Sequence, residues 1–373
     1  MRILHAAVEF APLVATGGLG EVLGALPAAQ AAAGLDARLI LPAYSFIAPA
    51  WRDGEEVARF DVGGRPCRIM LAPHKVLPVY FCEIGTLFAR DGDPYRDAQS
   101  REFDDNPERF AAFCTAVAQF AAATLKVDIV HLHDWHTGLV PVLFKRAAPQ
   151  ARSVYSVHNL AYQGLCDPAR LGLGAALREA GRHPQQGWSF MAAGLRGSDR
   201  VLTVSPSYAR EIQTPALGCG LDALLRERAA QGALQGIVNG IDTAIWNPRT
   251  DVRLAQRYDA DSVQAGKRVN RAALKAELGM PASERPLLAF VGRLTEQKGA
   301  DVLVEALRRE PLPLDAVVVG LGDAAIVDAV RELGRQNAQL AFCEVYDSDL
   351  VHRLLAAADL VVMPSRWEPC GMV

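Results

Sequence analysis

Pro286-Leu-Leu-Ala-Phe-Val-Gly-Arg-Leu-Thr-Glu-Gln-Lys-Gly-Ala300 reads as an apolar strand, a glycine-bounded loop with two cations, and the start of a helix. The same order repeats to the end of the chain. Helices are predicted over Ala300 to Arg309, Asp323 to Asn337 and Asp349 to Ala358, alternating with strands over Asp315 to Val319, Leu340 to Val345 and Leu360 to Met363. Short, continuous apolar strands between helices predict a parallel sheet covered on both faces. Upstream, Met1 to Val8 reads as a strand, Thr16-Gly-Gly-Leu-Gly20 as a turn, Glu21 to Ala33 as a helix and Ala37 to Leu41 as a strand, which is a βαβ unit. Helices over Phe110 to Thr124 and Trp135 to Lys145, with strands over Asp128 to Leu132, Arg152 to Val157 and Arg200 to Val204, continue it. The polar stretch from Ile245 to Arg285 reads as a connection with a helix near Asn270 to Leu278. The expected organisation is α/β, with a doubly wound domain over 1–245, a connection over 246–285 and a second such domain over 286–373. A doubly wound sheet has about six strands and the second block offers four, so that domain is expected to be incomplete and the sequence to be truncated at its C-terminus.

The chain has 373 residues, 50% hydrophobic and 22% charged, which is enough to bury a sizeable core. Lys plus Arg is 39 and Asp plus Glu is 42, for a net charge of −3, which makes no electrostatic case for a nucleic-acid or anionic-membrane partner. No apolar run is long enough for a membrane span, and Glu9 interrupts what would be a leader's apolar region. The seven cysteines are scattered without a Cys-x-x-Cys, which predicts free thiols and a cytoplasmic setting.

Five stretches could carry chemistry. Thr16-Gly17-Gly18-Leu19-Gly20-Glu21 follows a strand and opens a helix, so it is either a phosphate cradle or a packing turn. His131-Leu-His133-Asp134-Trp135-His136 invites a metal. Alternation along a strand works against convergence of all four polar groups, so a polar sugar-binding loop with a stacking aromatic is preferred. His158-Asn159-Leu160-Ala161-Tyr162-Gln163-Gly164 offers the donors and acceptors a carbohydrate needs. Arg293 and Lys298, on a loop entering a helix, are either a diphosphate clamp or two solvated cations. Pro364-Ser-Arg-Trp-Glu368-Pro-Cys370-Gly371 is either a strand-to-helix turn or a sugar-hydroxyl site.

Together with Thr203-Val-Ser-Pro-Ser-Tyr-Ala-Arg-Glu-Ile-Gln-Thr-Pro215, Ile237-Val-Asn-Gly-Ile-Asp242 and Trp246-Asn-Pro248, these motifs resemble, in order and spacing, the bacterial glycogen synthases and plant starch synthases. The resemblance implies a GT-B fold, two Rossmann-like domains facing across a cleft. It implies a retaining glucosyltransferase that moves glucose from ADP-glucose to the non-reducing end of an α-1,4-glucan, with no metal and no cofactor beyond the donor. The nucleotide sugar and the α-glucan would be its partners. On that basis Glu9, Gly17, Gly18, Tyr95, Asp134, His158 and Asn159 line the acceptor-side domain, and Asn239 joins through its turn. Arg293 and Lys298 bind the donor phosphates, Tyr346 stacks on adenine, and Glu368, Cys370 and Gly371 hold the transferred glucose.

Three positions depart from the family pattern: Ala15 and Ala192 stand where Lys is usual, and Glu21 where Asp is usual. They bear on donor affinity and on the choice of ADP over UDP. Two alternatives follow: a related GT-B enzyme using another donor, or a catalytically weakened glucan-binding protein.

Overall fold

Parallel strands buried on both faces need apolar side chains pointing both ways, and the second half of the sequence supplies them. In a computed structural model, which describes residues 1–52, 54–72, 77–99, 101–309, 313–345 and 347–371, the chain divides into two compact units, Met1–Asn239 and Gly240–Gly371.

The first unit is built on one sheet. Its strands are β1 (Arg2–Ala6), β2 (Asp36–Pro42), β3 (Glu55–Val62), β4 (Arg65–Ala72), β5 (Val79–Ile84), β6 (Ile129–His133) and β7 (Arg152–Val157). The short pair β8 (Arg182–His183) and β9 (Gly187–Trp188) forms a separate ribbon, and β10 (Arg200–Thr203) and β11 (Leu234–Gly236) return to the main sheet. The order across that sheet is β11-β10-β7-β6-β1-β2-β5-β4-β3. All neighbours run parallel except the pairs of β4 with β5 and with β3. The sequence reading passed over β3, β4 and β5. Their signal is the Gly63-Gly64 pair at φ +58° and +79°, the left-handed conformation that a two-residue hairpin turn requires.

The helix expected from Glu21 begins earlier, at Gly18, with Gly17 as its N-cap, so the glycine turn is the helix's own first turn. The helix expected over Trp135 to Lys145 is a 3₁₀ turn, Trp135–Thr137, followed by a helix over Val140–Ala147, because Pro141 favours a fresh helix start there.

The second unit holds β12 (Leu287–Val291), β13 (Asp315–Val319), β14 (Leu340–Cys343) and β15 (Leu360–Val361), all parallel in the order β14-β13-β12-β15. Alternation along the strands splits the core in two. Leu288, Phe290, Ala316 and Val318 pack with Leu303, Val304, Val327 and Val330 on one face. Leu287, Ala289, Val317 and Val319 pack with Leu274, Leu350 and Leu354 on the other. Helices therefore cover both faces. The stretch 246–285, expected as a connection, lies within this unit. Its helix, Val263–Glu277, rests on the helix Ser348–Ala357, where Lys267 Nζ donates to the Leu355 and Ala358 carbonyls at 2.9 Å each. No helix among the described residues is long and apolar enough to cross a membrane.

Candidate active site

In the first sheet β7, β6 and β1 are neighbours, and just past their carboxyl ends come His158, Asp134 and Glu9. Ligand crevices in parallel sheets form at these ends. Glu9 is buried and accepts from the Thr16 N–H and the Thr16 hydroxyl, each at 2.7 Å, while the Tyr95 hydroxyl donates to the same carboxylate. Burial and the Glu9 charge push the Tyr95 phenol well above its ordinary range, so it stays a donor.

The loop carrying Tyr95 is fixed from below by Arg109. This fully buried guanidinium sits 4.5 Å from the Phe103 ring and 4.9 Å from the Phe88 ring. It donates to the carbonyls of Leu87 at 2.9 Å and Pro94 at 3.3 Å, and to Asn106 Oδ1 at 2.6 Å. Asn106 Nδ2 in turn donates to the Tyr95 carbonyl at 3.0 Å.

Asp134 adopts φ +57° and ψ −179°, a backbone conformation rarely occupied by anything but glycine. Strain of this kind collects at functional sites. Its Oδ1 accepts the His158 N–H at 2.8 Å, which ties the end of β6 to the end of β7. Burial raises the carboxyl to about 7, against the pull of the His158 and Asn159 N–H groups and with help from the Glu9 charge. His158 is half-buried, its imidazole lowered to about 4 by burial, with Nε2 3.0 Å from His133 Nδ1. Asn159 Oδ1 accepts the Ala161 N–H at 3.1 Å, and the Leu160 N–H donates to the Tyr208 hydroxyl at 3.0 Å, so the Ser-Pro-Ser-Tyr motif props the His-Asn loop.

Trp135, expected to offer a stacking face, is half-buried. Its ring packs against Phe110 and Phe190, with centroids 5.1 and 5.7 Å away. Gly164, at φ +61°, leaves room for it, since a side chain there would begin 2.2 Å from the indole. The aromatic beside Glu9 is Tyr95, stacked on His136 at 5.1 Å.

His5, His131 and His133 place ring nitrogens within 4.8 Å of one another, and His5 was missing from the sequence-level metal reading. The donor set fits a metal poorly. Zinc needs each nitrogen at about 2.0–2.1 Å with its lone pair aimed at one point. Here His5 and His133 bond to each other at 3.1 Å, to Gln30 at 2.7 Å and to His158 at 3.0 Å, and His131 bonds Ser156 Oγ at 2.8 Å.

At the helix of the glycine turn, nothing lies within 4 Å of where a Gly17 side chain would begin, so packing does not demand glycine there. Gly20 is the packing glycine, with its missing Cβ 2.9 Å from Ala15 Cβ. Gly18 is exposed at the helix start, where N–H groups are free to meet an anion.

In the second unit the loop after β12 carries Arg293 and Lys298, and the helix Ala300–Arg309 follows. Lys298 Nζ lies 2.6 Å from Glu368 Oε2, which also accepts the Ser365 hydroxyl at 3.0 Å. Arg293 Nη2 donates to Gln297 Oε1 at 3.1 Å. Arg366 locks the two loops together, donating to the Glu296 carbonyl at 2.7 Å and pairing with both Asp301 oxygens at 2.7 and 2.8 Å. Gly299, at φ +66°, lets the Pro364 carbonyl approach to 2.0 Å from where a Cβ would stand. Two cations and a carboxylate at a sheet's carboxyl edge can hold a phosphorylated sugar, phosphate to the cations and hydroxyl to the acid.

The comparisons with known proteins agree over the full sequence. The starch synthase catalytic domain family matches residues 2–227, and the glycosyl transferases group 1 family matches 275–373. The glycogen synthase of Yersinia enterocolitica is 39% identical over the whole chain, which covers 80% of that protein, and that of Yersinia pseudotuberculosis is 38% identical with the same coverage. The chain belongs to the glycogen synthase and starch synthase family. Like other members it is a glucosyltransferase of glycogen synthesis. The catalytic domain of Arabidopsis thaliana starch synthase IV, solved with ADP and acarbose, superposes with a TM-score of 0.87 at 30% identity, over all of this chain and 79% of that one. The fold is shared with Anabaena HepE, solved with UDP and glucose, at a TM-score of 0.52 and 17% identity over all of this chain and 76% of that one. Both units are thus those of a GT-B glycosyltransferase.

Of the residues that the family pattern points to, Glu9 and Tyr95 are in direct contact, Asp134 and His158 likewise, and Lys298 and Glu368 likewise. Cys370 and Gly371 follow Glu368, with Gly371 at φ +73° and half-buried. Asn239 closes the first unit. Tyr346 lies outside the described residues. The sequence reading gave no role to His5, Gln30 or Arg109. Arg109 could have been found as a lone cation amid the apolar residues of a helix, a position that requires buried partners.

Proposed function

We propose that this family member transfers glucose from ADP-glucose to the 4-hydroxyl at the non-reducing end of an α-1,4-glucan, with retention. Arg293 and Lys298 neutralise the donor diphosphate, the charge-stabilising part a metal plays in other transferases, so no cofactor beyond the donor is invoked. The bond from glucose C1 to the phosphate oxygen breaks, the electron pair leaves with ADP, and the acceptor oxygen attacks C1 on the same face. The acceptor's proton passes to the departing phosphate. Glu368, with Cys370 and Gly371 beside it, holds hydroxyls of the transferred glucose, and Tyr346 stacks on the adenine. On the first unit Glu9, Tyr95, Asp134, His158 and Asn159 bind sugar hydroxyls, the N–H groups at Gly17 and Gly18 meet donor oxygens, and Asn239 joins them.

The observation that carries this reading is the 2.6 Å contact of Lys298 with Glu368. It brings the cation of one family motif onto the acid of another, 70 residues away. The starch synthase bound to ADP and acarbose supports the choice of an adenine donor and a glucan acceptor. The test is incubation of the protein with glycogen and, in turn, ADP-glucose, UDP-glucose and glucose-1-phosphate. Label is expected to enter glycogen from ADP-glucose. Incorporation only from glucose-1-phosphate would replace the reading with a phosphorylase.

A further inference from the structure

Behind His158 runs a line of imidazoles that the reaction as written does not use. His158 Nε2 meets His133 Nδ1 at 3.0 Å, His133 Nε2 meets His5 Nδ1 at 3.1 Å, and His5 Nε2 meets Gln30 Oε1 at 2.7 Å. His133 and His5 have no exposed surface, whereas Gln30 is half-buried near the end of the helix Gly18–Ala32. His158 Nδ1 has no partner among the described residues.

A neutral imidazole has one N–H and one lone pair. In an unbroken line of neutral rings, the direction of one hydrogen bond therefore fixes all the others. Gln30 presents its carbonyl oxygen, which only accepts, so His5 donates from Nε2 and accepts at Nδ1. His133 then donates from Nε2 and accepts at Nδ1, and His158 donates its Nε2–H inward. Burial keeps all three rings neutral at physiological pH, with His133 held down further by its histidine neighbours.

We propose that Gln30, through His5 and His133, is a positioning residue that fixes His158 as its Nε2–H tautomer and so presents Nδ1 to the sugar as a hydrogen-bond acceptor. This rests on the reading of His158 as a sugar-binding residue. Its consequence is specific: the hydroxyl facing His158 must donate, which orients its lone pairs away from the ring. Reversing the line turns Nδ1 into a donor, and the hydroxyl must rotate to accept.

Gln30→Lys puts an obligate donor at the end of the line, and Gln30→Glu puts an obligate acceptor there. Both substitutions fall on a half-buried side chain at the far end of the line from the sugar site. Histidine-selective ¹⁵N labelling reads tautomers directly, without activity, at about pH 8.5, where imidazoles are neutral. In the wild type and Gln30→Glu, His5, His133 and His158 are expected as Nε2–H. In Gln30→Lys all three are expected as Nδ1–H, with kcat for glucose transfer lowered about five- to tenfold, the worth of one misdirected hydrogen bond, and KM for ADP-glucose unchanged. Mixed tautomers in the wild type, or a Gln30→Lys enzyme with reversed tautomers and wild-type kcat, would overturn the proposal. His158→Ala separates the two layers. If it abolishes transfer while Gln30→Lys is silent, the sugar-binding reading stands and the relay falls; if it turns over normally, that reading falls and takes the relay with it.

Discussion

Lowering the pH below 6.5 should unfold the first unit by forcing protons onto histidines that the fold keeps neutral. Burial lowers His5 and His158 to about 4 and His136 to about 3, and holds His131 and His133 well below their ordinary value. The sign follows from the direction: a lowered imidazole contributes stability above the unfolded value and loses it as pH falls toward the folded one. At about pH 5.5 each unfolded histidine gains roughly 1.4 kcal/mol from a proton that the folded one cannot take, or about 7 kcal/mol for the five. Asp134 opposes them. Its carboxyl is raised to about 7, so the folded unit gains roughly 2 kcal/mol over the same fall. The net loss is about 5 kcal/mol, comparable with the whole stability of many domains. Urea unfolding followed by tryptophan fluorescence, at several values between about pH 8 and 5, gives the slope. A slope near 5 kcal/mol per pH unit around pH 5.5, close to four protons net, is expected. A slope of about 1.4 kcal/mol per pH unit or less would show that these histidines titrate normally and would refute their burial as neutral rings.

Asp134→Asn removes the raised acid: it should stabilise the unit by up to about 4 kcal/mol at pH 8, narrowing to about 3 kcal/mol near pH 6, as urea midpoints at the two values would show. Gly164→Ala forces a Cβ into the Trp135 ring at φ +61° and is expected to cost at least about 2 kcal/mol, seen as a lower Tm and an altered tryptophan emission maximum. Arg109→Met leaves the Leu87 and Pro94 carbonyls buried and unpaired, at a cost of about 2–6 kcal/mol by urea unfolding, and should weaken sugar binding by freeing the Tyr95 loop.

The second unit was the more legible of the two because parallel βα repeats write themselves as continuous apolar runs. Asp315 to Val319 and Ala300 to Arg309 fall where periodicity puts them. The antiparallel strands β3 and β4 were harder to see. Glu55–Val62 alternates weakly, with mostly exposed or half-buried side chains, so its hydrophobic pattern is faint and only the Gly63-Gly64 turn betrays the hairpin. The motif loops stood out because unlike polar groups cluster there. The supporting groups did not, because Arg109, His5 and Gln30 act across 15 to 128 residues of sequence and have no local signature.

The claim on which the mechanism stands is that Arg293 and Lys298 carry the charge of the departing diphosphate. Steady-state transfer from ADP-glucose to glycogen by Arg293→Ala and Lys298→Ala, beside glycogen affinity electrophoresis of the same proteins, tests it most directly. Each substitution should lower kcat/KM by about 10²–10³ while glycogen retardation stays at the wild-type level. Wild-type turnover in either variant would contradict it.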